Sequence, residues 1–201
     1  MTRLNKASEE YRKYLTQIRI GSHGYFSVFG SDLEDDYMDK FLIDENNYIL
    51  LFSNVEKLKE HLLKSNHVDY PKMVNNFIDI QNARDWANFL TKNAKPYTAL
   101  DLDLLASMNL TSDKELFAKE SFITLGLIND YGLQTSSKGL VSLLRKNEIL
   151  HFMDICADIY LWKSNDSSLK DLSVSEINWS SLILKIAKIV TLFKTRIHIV
   201  D

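Results

Sequence analysis

Several groups of residues have types and spacings that chemistry could use. His151, Asp154 and Asp158 fall at i, i+3 and i+7, with Asn147 one turn earlier, which places an imidazole and two carboxylates on one helix face. Imidazole and carboxylate are metal ligands, but three donors from one helix leave the coordination sphere incomplete, and His23, His61, His67 and His198 are scattered. The simpler account is a polar stripe on a mostly buried helix. Arg145 lies six positions before His151. A histidine to move a proton and an arginine to stabilise a phosphate transition state are the groups that RNA cleavage needs. Asp101 and Asp103 have the Asp-x-Asp spacing of a metal-nucleotide site without a surrounding βαβ pattern, and acids equally suit the positive end of a helix. Gly21-Ser22-His23-Gly24 lacks both the lysine of a phosphate loop and the third glycine of a dinucleotide turn. Cys156 sits among apolar neighbours, the setting of a core thiol rather than a nucleophile.

The largest departure from uniformity is a charge run. Asp32, Glu34, Asp35, Asp36, Asp39, Asp44 and Glu45 surround a single base, Lys40, for a local net charge of −6 in a chain of −3; the remainder is therefore slightly basic, at about +3. Counted as a calcium loop from Asp32, the run puts Tyr37 where glycine is required and Ile43 where the bidentate glutamate belongs, which argues against a calcium loop of that type. Such a run either complements a basic partner surface, raising the association rate, or is a solvated turn that keeps a sheet edge from pairing with other chains.

The elements that must position these groups are legible in outline. Residues 8–18 read as a first helix, with Tyr11, Leu15 and Ile18 on one face, broken by Gly21 and Gly24. Residues 25–29, aromatic and β-branched, read as a strand entering the Gly30-Ser31-Asp32 turn. Residues 41–43 and 48–52 flank Glu45-Asn46-Asn47 as a hairpin. Ser53 or Asn54 caps a helix with Val55, Leu58, Leu62 and Leu63 inward and Lys57, Lys59, Glu60 and Lys64 outward. Beyond Pro71 the texture is helical. Gln81 or Asn82 opens a helix through Trp86, Phe89 and Leu90 that stops before Lys95-Pro96. Ser112 and Glu115 form a capping box ahead of a run that Gly132 closes, and Ser136 or Ser137 starts the next helix through Leu140, Leu143 and Leu144. A mostly buried helix covers 149–162, a loop 165–168, and Asn178 caps a helix through Leu182, Ile186, Ile189 and Phe193. Residues 197–200 alternate like a closing strand. Two prolines and six glycines in 201 residues are too few to punctuate an all-β domain. The expected fold is a single α+β domain over 1–201. It has a small N-terminal antiparallel sheet, sheet-rich over about 19–66, a helix-rich part over about 82–193, and a terminal strand rejoining the sheet.

Composition bounds what such a chain does. With 45% apolar and 25% charged residues it is neither disordered nor a disulfide-stapled miniprotein. A net charge of −3 argues against a general nucleic-acid binder, and the basic end formed by Lys185, Lys188, Lys194 and Arg196 has no interleaved aromatics. One cysteine allows no intrachain disulfide and no multi-cysteine zinc site. The N-terminus turns acidic without an apolar stretch, and residues 182–193, interrupted by Lys185 and Lys188, are shorter than the ~20 residues needed to span a bilayer. The expectation is a cytoplasmic monomer or weak homo-oligomer with no cofactor, no nucleic-acid partner and no membrane partner.

A small, mildly acidic chain of this texture, without catalytic motifs and with the strand-to-helix passage Tyr48-Ile49-Leu50-Leu51-Phe52-Ser53-Asn54, resembles the bacterial immunity proteins that protect cells from toxins of contact-dependent growth inhibition. The resemblance implies a non-enzymatic, stoichiometric inhibitor that binds a cognate protein toxin and covers the basic active site of a nuclease. Asp32, Glu34, Asp35, Asp36 and Asp39 would then be contacts and Tyr37 an aromatic anchor. Two other readings stand beside it. The Arg145–His151 spacing resembles the Arg-(four to six residues)-His signature of the all-α HEPN ribonucleases, which implies RNA cleavage through His151 and leaves the N-terminal sheet without a role. The third is a structural or regulatory subunit without catalysis.

Overall fold

The chain opens with a short helix, α1 (Arg3–Tyr11), whose first turn is satisfied by Thr2 Oγ1 accepting the Asn5 N–H at 3.1 Å. Arg12 then adopts a left-handed conformation, φ 51°, and the helix stops. The computed structural model describes residues 2–32, 38–65, 77–109, 113–162 and 177–200. These described residues form two compact units, one drawn from the ranges 1–100, 133–135 and 196–201, the other from 101–132 and 136–195.

In the first unit, β1 (Lys13–Ile20) pairs antiparallel with β2 (His23–Ser31) through eight residue pairs, from Lys13 opposite Gly30 to Ile20 opposite His23. The two-residue connection begins with Gly21 at φ 63°, a conformation glycine adopts without steric cost. The helix expected over 8–18 therefore ends at Tyr11. Leu15 and Ile18 do sit at helical spacing from Tyr11, but they lie on opposite faces of a strand and both are buried, so pairing with β2 overrides the local periodicity. β3 (Asp39–Phe41) and β4 (Ile49–Phe52) take the other edge of β2. Between them runs the expected hairpin: Leu50 N–H donates to Leu42 C=O at 3.0 Å, Asn47 takes φ 63°, and Asp44 Oδ1 accepts the Asn46 and Tyr48 N–H groups at 2.9 Å each.

Asn54 caps α2 (Val55–Lys64), accepting the Lys57 N–H at 2.9 Å. Val55, Leu58 and Leu62 face inward, whereas Leu63 points to solvent. α3 (Ile80–Ala87) begins slightly earlier than expected, because Asp79 caps it by accepting from the Gln81 and Asn82 N–H groups. β5 (Thr98–Asp101) lies beside β1, and β6 (Ile197–Val200) pairs parallel with β4. The sheet order is β5-β1-β2-β4-β6 with β3 also on β2. It is thus a mixed six-stranded sheet, not the small antiparallel one expected, because strand partners far along the chain have no local signature. The core of this unit joins Leu15, Val28, Leu50 and Phe52 of the sheet to Ala7, Leu58, Leu62, Ala83 and Trp86 of the helices. Trp86 Nε1 donates to Ser8 Oγ at 3.0 Å.

The second unit is helical: α4 (Leu102–Ser107), α5 (Lys114–Gln134, whose last two residues belong to the first unit), α6 (Lys138–Leu144), α7 (Asn147–Ala157) with a π-helical turn Asp158–Trp162, and α8 (Trp179–Lys194). α8 packs against α4, α6 and α7, burying Leu182, Ile186, Ile189 and Phe193 as its spacing requires. Ser112 lies outside the described residues; Asp113 supplies the cap of α5 by accepting from the Glu115 and Leu116 N–H groups. Gly132 does not close that helix, which runs on to Gln134. A Cβ at Gly132 would lie 3.3 Å from Val141 Cγ2, so its role is close approach to α6. Residues 165–168 lie outside the described residues. With strands and helices grouped this way the fold is α+β.

Two glycines give opposite expectations. A Cβ at Gly30 would sit 1.9 Å from the Arg12 carbonyl oxygen, so β1 and β2 must shift apart, whereas Gly126 has open space around it. Gly30→Ala should therefore cost about 2–4 kcal/mol, and Gly126→Ala should gain about 0.5–1 kcal/mol in the middle of α5. Urea denaturation of the two variants checks both signs.

Candidate functional site

The acidic run starts at the end of β2 and continues through β3 into the following turn. Its base is closed by four interactions. Asp32 N–H donates to Met38 C=O at 3.0 Å, and Ser31 Oγ donates to Asp39 Oδ1 at 2.6 Å. Lys40 Nζ donates to Asp32 Oδ2 at 3.4 Å, and Lys13 Nζ donates to Ser31 C=O at 2.5 Å. The register explains the grouping. Gly30 pairs with Lys13 on one side and Lys40 on the other, so both lysines leave the same face of the sheet. Both are buried, and so is Asp32. Burial pushes the Lys13 ammonium down from 10.5 to about 8. Asp79, Asp32 and Asp39 oppose that shift, and Lys40 adds to it.

This geometry divides the predicted contact residues. Asp32 turns inward onto Lys40 instead of presenting its carboxylate to a partner, and Asp39 holds Ser31. Glu34, Asp35, Asp36 and Tyr37 lie outside the described residues. Asp44 is also structural: beyond its two N–H bonds, its Oδ2 meets His198 Nδ1 at 3.1 Å, tying the hairpin to β6. The lone base in the run, Lys40, was the sequence signal for an internal ion pair.

The other candidate sites do not assemble. His151, Asp154 and Asp158 are all exposed, while Ile149, Phe152, Cys156 and Ile159 face inward, so the stripe is the outer face of α7 and its π-turn. Among the described residues no three His, Cys, Asp or Glu side chains are placed to hold a metal. Arg145 caps the C-terminus of α6, and Lys146 is the N-cap of α7, so the arginine and His151 belong to different helices. Asp101 caps α4 by accepting the Leu104 N–H, and Asp103 pairs with Lys194 at 2.5 Å. Burial raises the Cys156 thiol to about 12, which leaves almost no thiolate near neutral pH.

One feature of the first unit has no counterpart in the sequence expectations. A groove of about 640 Å³ runs between α1, the start of β1 and residues 89–97. Tyr14 and Tyr97, both in its lining, are in tilted ring contact with centroids 4.7 Å apart, and Phe89 lies against Tyr11 at 6.2 Å. The paired aromatics flanking Lys95-Pro96 were the available signal, but those two residues read only as a helix stop.

No protein-family model matches the chain, and no curated protein does. Among solved structures the chain is similar to the SatS C-terminal domain, determined in complex with bromine, with a TM-score of 0.60, 12% identity and 96% of each chain covered. At that identity the likeness shows a shared fold. No described helix is long and apolar enough to cross a membrane.

The buried cluster makes a pH prediction. The Lys13 value is lowered in the folded state, so between pH 8 and 10.5 the unfolded chain binds more protons. The penalty is then complete below about pH 8, and its relief should add roughly 3 kcal/mol of stability as pH rises through that window. Lys13→Met should remove this rise, as seen by comparing urea midpoints of the two proteins across pH; parallel profiles would contradict the assignment. Cys156 should react with a thiol reagent only after denaturation, and rapid reaction of the native chain would contradict its buried, protonated state.

Proposed function

We propose that this chain is an immunity protein that binds a cognate toxin and covers its basic surface with the acidic run. The observation that supports the reading is the coincidence of a −6 segment with a base held shut by buried lysines. A segment fixed at both ends loses less conformational freedom on binding than a free one, and its charge speeds encounter with a basic partner. In this reading Glu34, Asp35 and Asp36 are the contacts and Tyr37 the anchor. Asp32 and Asp39 are positioning residues. The partner class is a nuclease toxin, whose substrate-binding surface must be basic to hold phosphates.

The experiment is calorimetric titration of the purified chain with the product of the adjacent upstream gene at low salt. A one-to-one complex is expected, weakened roughly 100-fold or more by the combined reversals Glu34→Lys, Asp35→Lys and Asp36→Lys. Absence of a complex, or a triple variant that binds as tightly as the original, would overturn the proposal.

A further inference from the structure

The groove of the first unit takes no part in the reading of the acidic run. Its floor is apolar, formed by Leu4, Leu15, Ala94 and Pro96. Its aromatic walls are left open: Tyr97 is 74% exposed and Phe89 38%. Aromatic side chains held at a surface in this way are the usual anchors of protein recognition. The wall of residues 89–97 is also fixed in advance. Lys59 Nζ donates to Leu90 C=O at 2.9 Å at one end, and Tyr97 N–H donates to Leu15 C=O at 2.8 Å at the other. A volume of about 640 Å³ lies within the usual range of ligand sites.

Polar groups on the rim indicate the occupant. Thr91 and Asn93 line the groove, and their side chains make no hydrogen bond among the described residues, so they are available to main-chain amides. Arg3 and Lys95 also line it without an ion pair among the described residues, against one acid, Glu9. The rim is therefore net positive. Tyr14 stays protonated, because burial and then Glu9 raise its phenol.

We propose that this groove binds an extended, acidic peptide segment of a protein partner, with an apolar side chain lying between Phe89 and Tyr97 and a carboxylate meeting Arg3 and Lys95. An extended chain suits the site because the exposed walls do not enclose a small molecule and the rim offers hydrogen-bonding groups to a backbone. The proposal is independent of toxin binding by the acidic run, since none of the residues that line the groove belongs to that run.

Amide chemical-shift mapping tests it with three synthetic heptapeptides that share a Leu-Pro-Leu centre and carry Glu, Gln or Lys flanks. The acidic peptide is expected to shift the amides of Tyr14, Ala94 and Tyr97 and to bind several-fold more tightly than the neutral one, with the basic peptide weakest. Tyr97→Ala, which keeps the main-chain bond to Leu15 and removes a 74% exposed ring, should weaken binding about tenfold. Lys95→Glu should erase or invert the charge preference. The proposal fails if no peptide perturbs these amides at about 1 mM, or if the order of affinities is unchanged by Lys95→Glu.

Discussion

The first unit depends on what happens at Gly30. Here three strands meet, with two buried lysines opposite one glycine, and the Arg12 carbonyl approaches so closely that no side chain fits. An ammonium taken out of water is costly unless it is paired or bonded to oxygen. Lys13 recovers part of that cost through the Ser31 and Tyr11 carbonyls, leaving its ammonium depressed to about 8, and Lys40 is paired with Asp32. Those bonds fix the end of β2 and the start of β3. They thereby fix where the acidic run leaves the sheet and returns to it. On the outer side of β3, Gln134 completes the arrangement: its side-chain amide accepts from the Phe41 N–H and donates to the Phe41 C=O, both at 2.9 Å, as a neighbouring strand would.

Local signals were readable where the physics is local. Asn54 and Asn178 cap the helices they were expected to cap, Asp44 and Asn47 build the expected turn, and residues 197–200 form a strand. The failures have a common cause. Leu15 and Ile18 mimic a continuation of the helix that ends at Tyr11, because a strand buried on both faces also places apolar residues three apart. Gly132 resembles a helix stop, yet its small size serves packing against Val141. The parallel pairing of β6 with β4 joins residues about 150 positions apart in sequence, and no local pattern encodes it.

The candidate sites divide in the same way. A run of acids is visible in any sequence, but which acids turn inward depends on the register that sets Lys40 beside Gly30. The groove was invisible for a related reason, since α1, β1 and residues 89–97 supply its walls from separate parts of the chain. Locating the charge matters more than its sum. A net −3 hides an acidic segment at one end of β2 and a net-positive rim around an aromatic groove. In the proposed readings each surface meets a partner of opposite sign, and complementary charge is a source of specificity between proteins.

The central proposal is that the acidic run, whose described ends are held by Lys13 and Lys40, meets a basic protein surface, and its most direct measurement is the association rate constant with the proposed toxin partner across ionic strength. Charge-steered encounter predicts a rate that falls at least tenfold between about 20 mM and about 500 mM salt, while the dissociation rate changes little. An association rate independent of salt would contradict the account, because the acidic run would then contribute nothing to finding the partner.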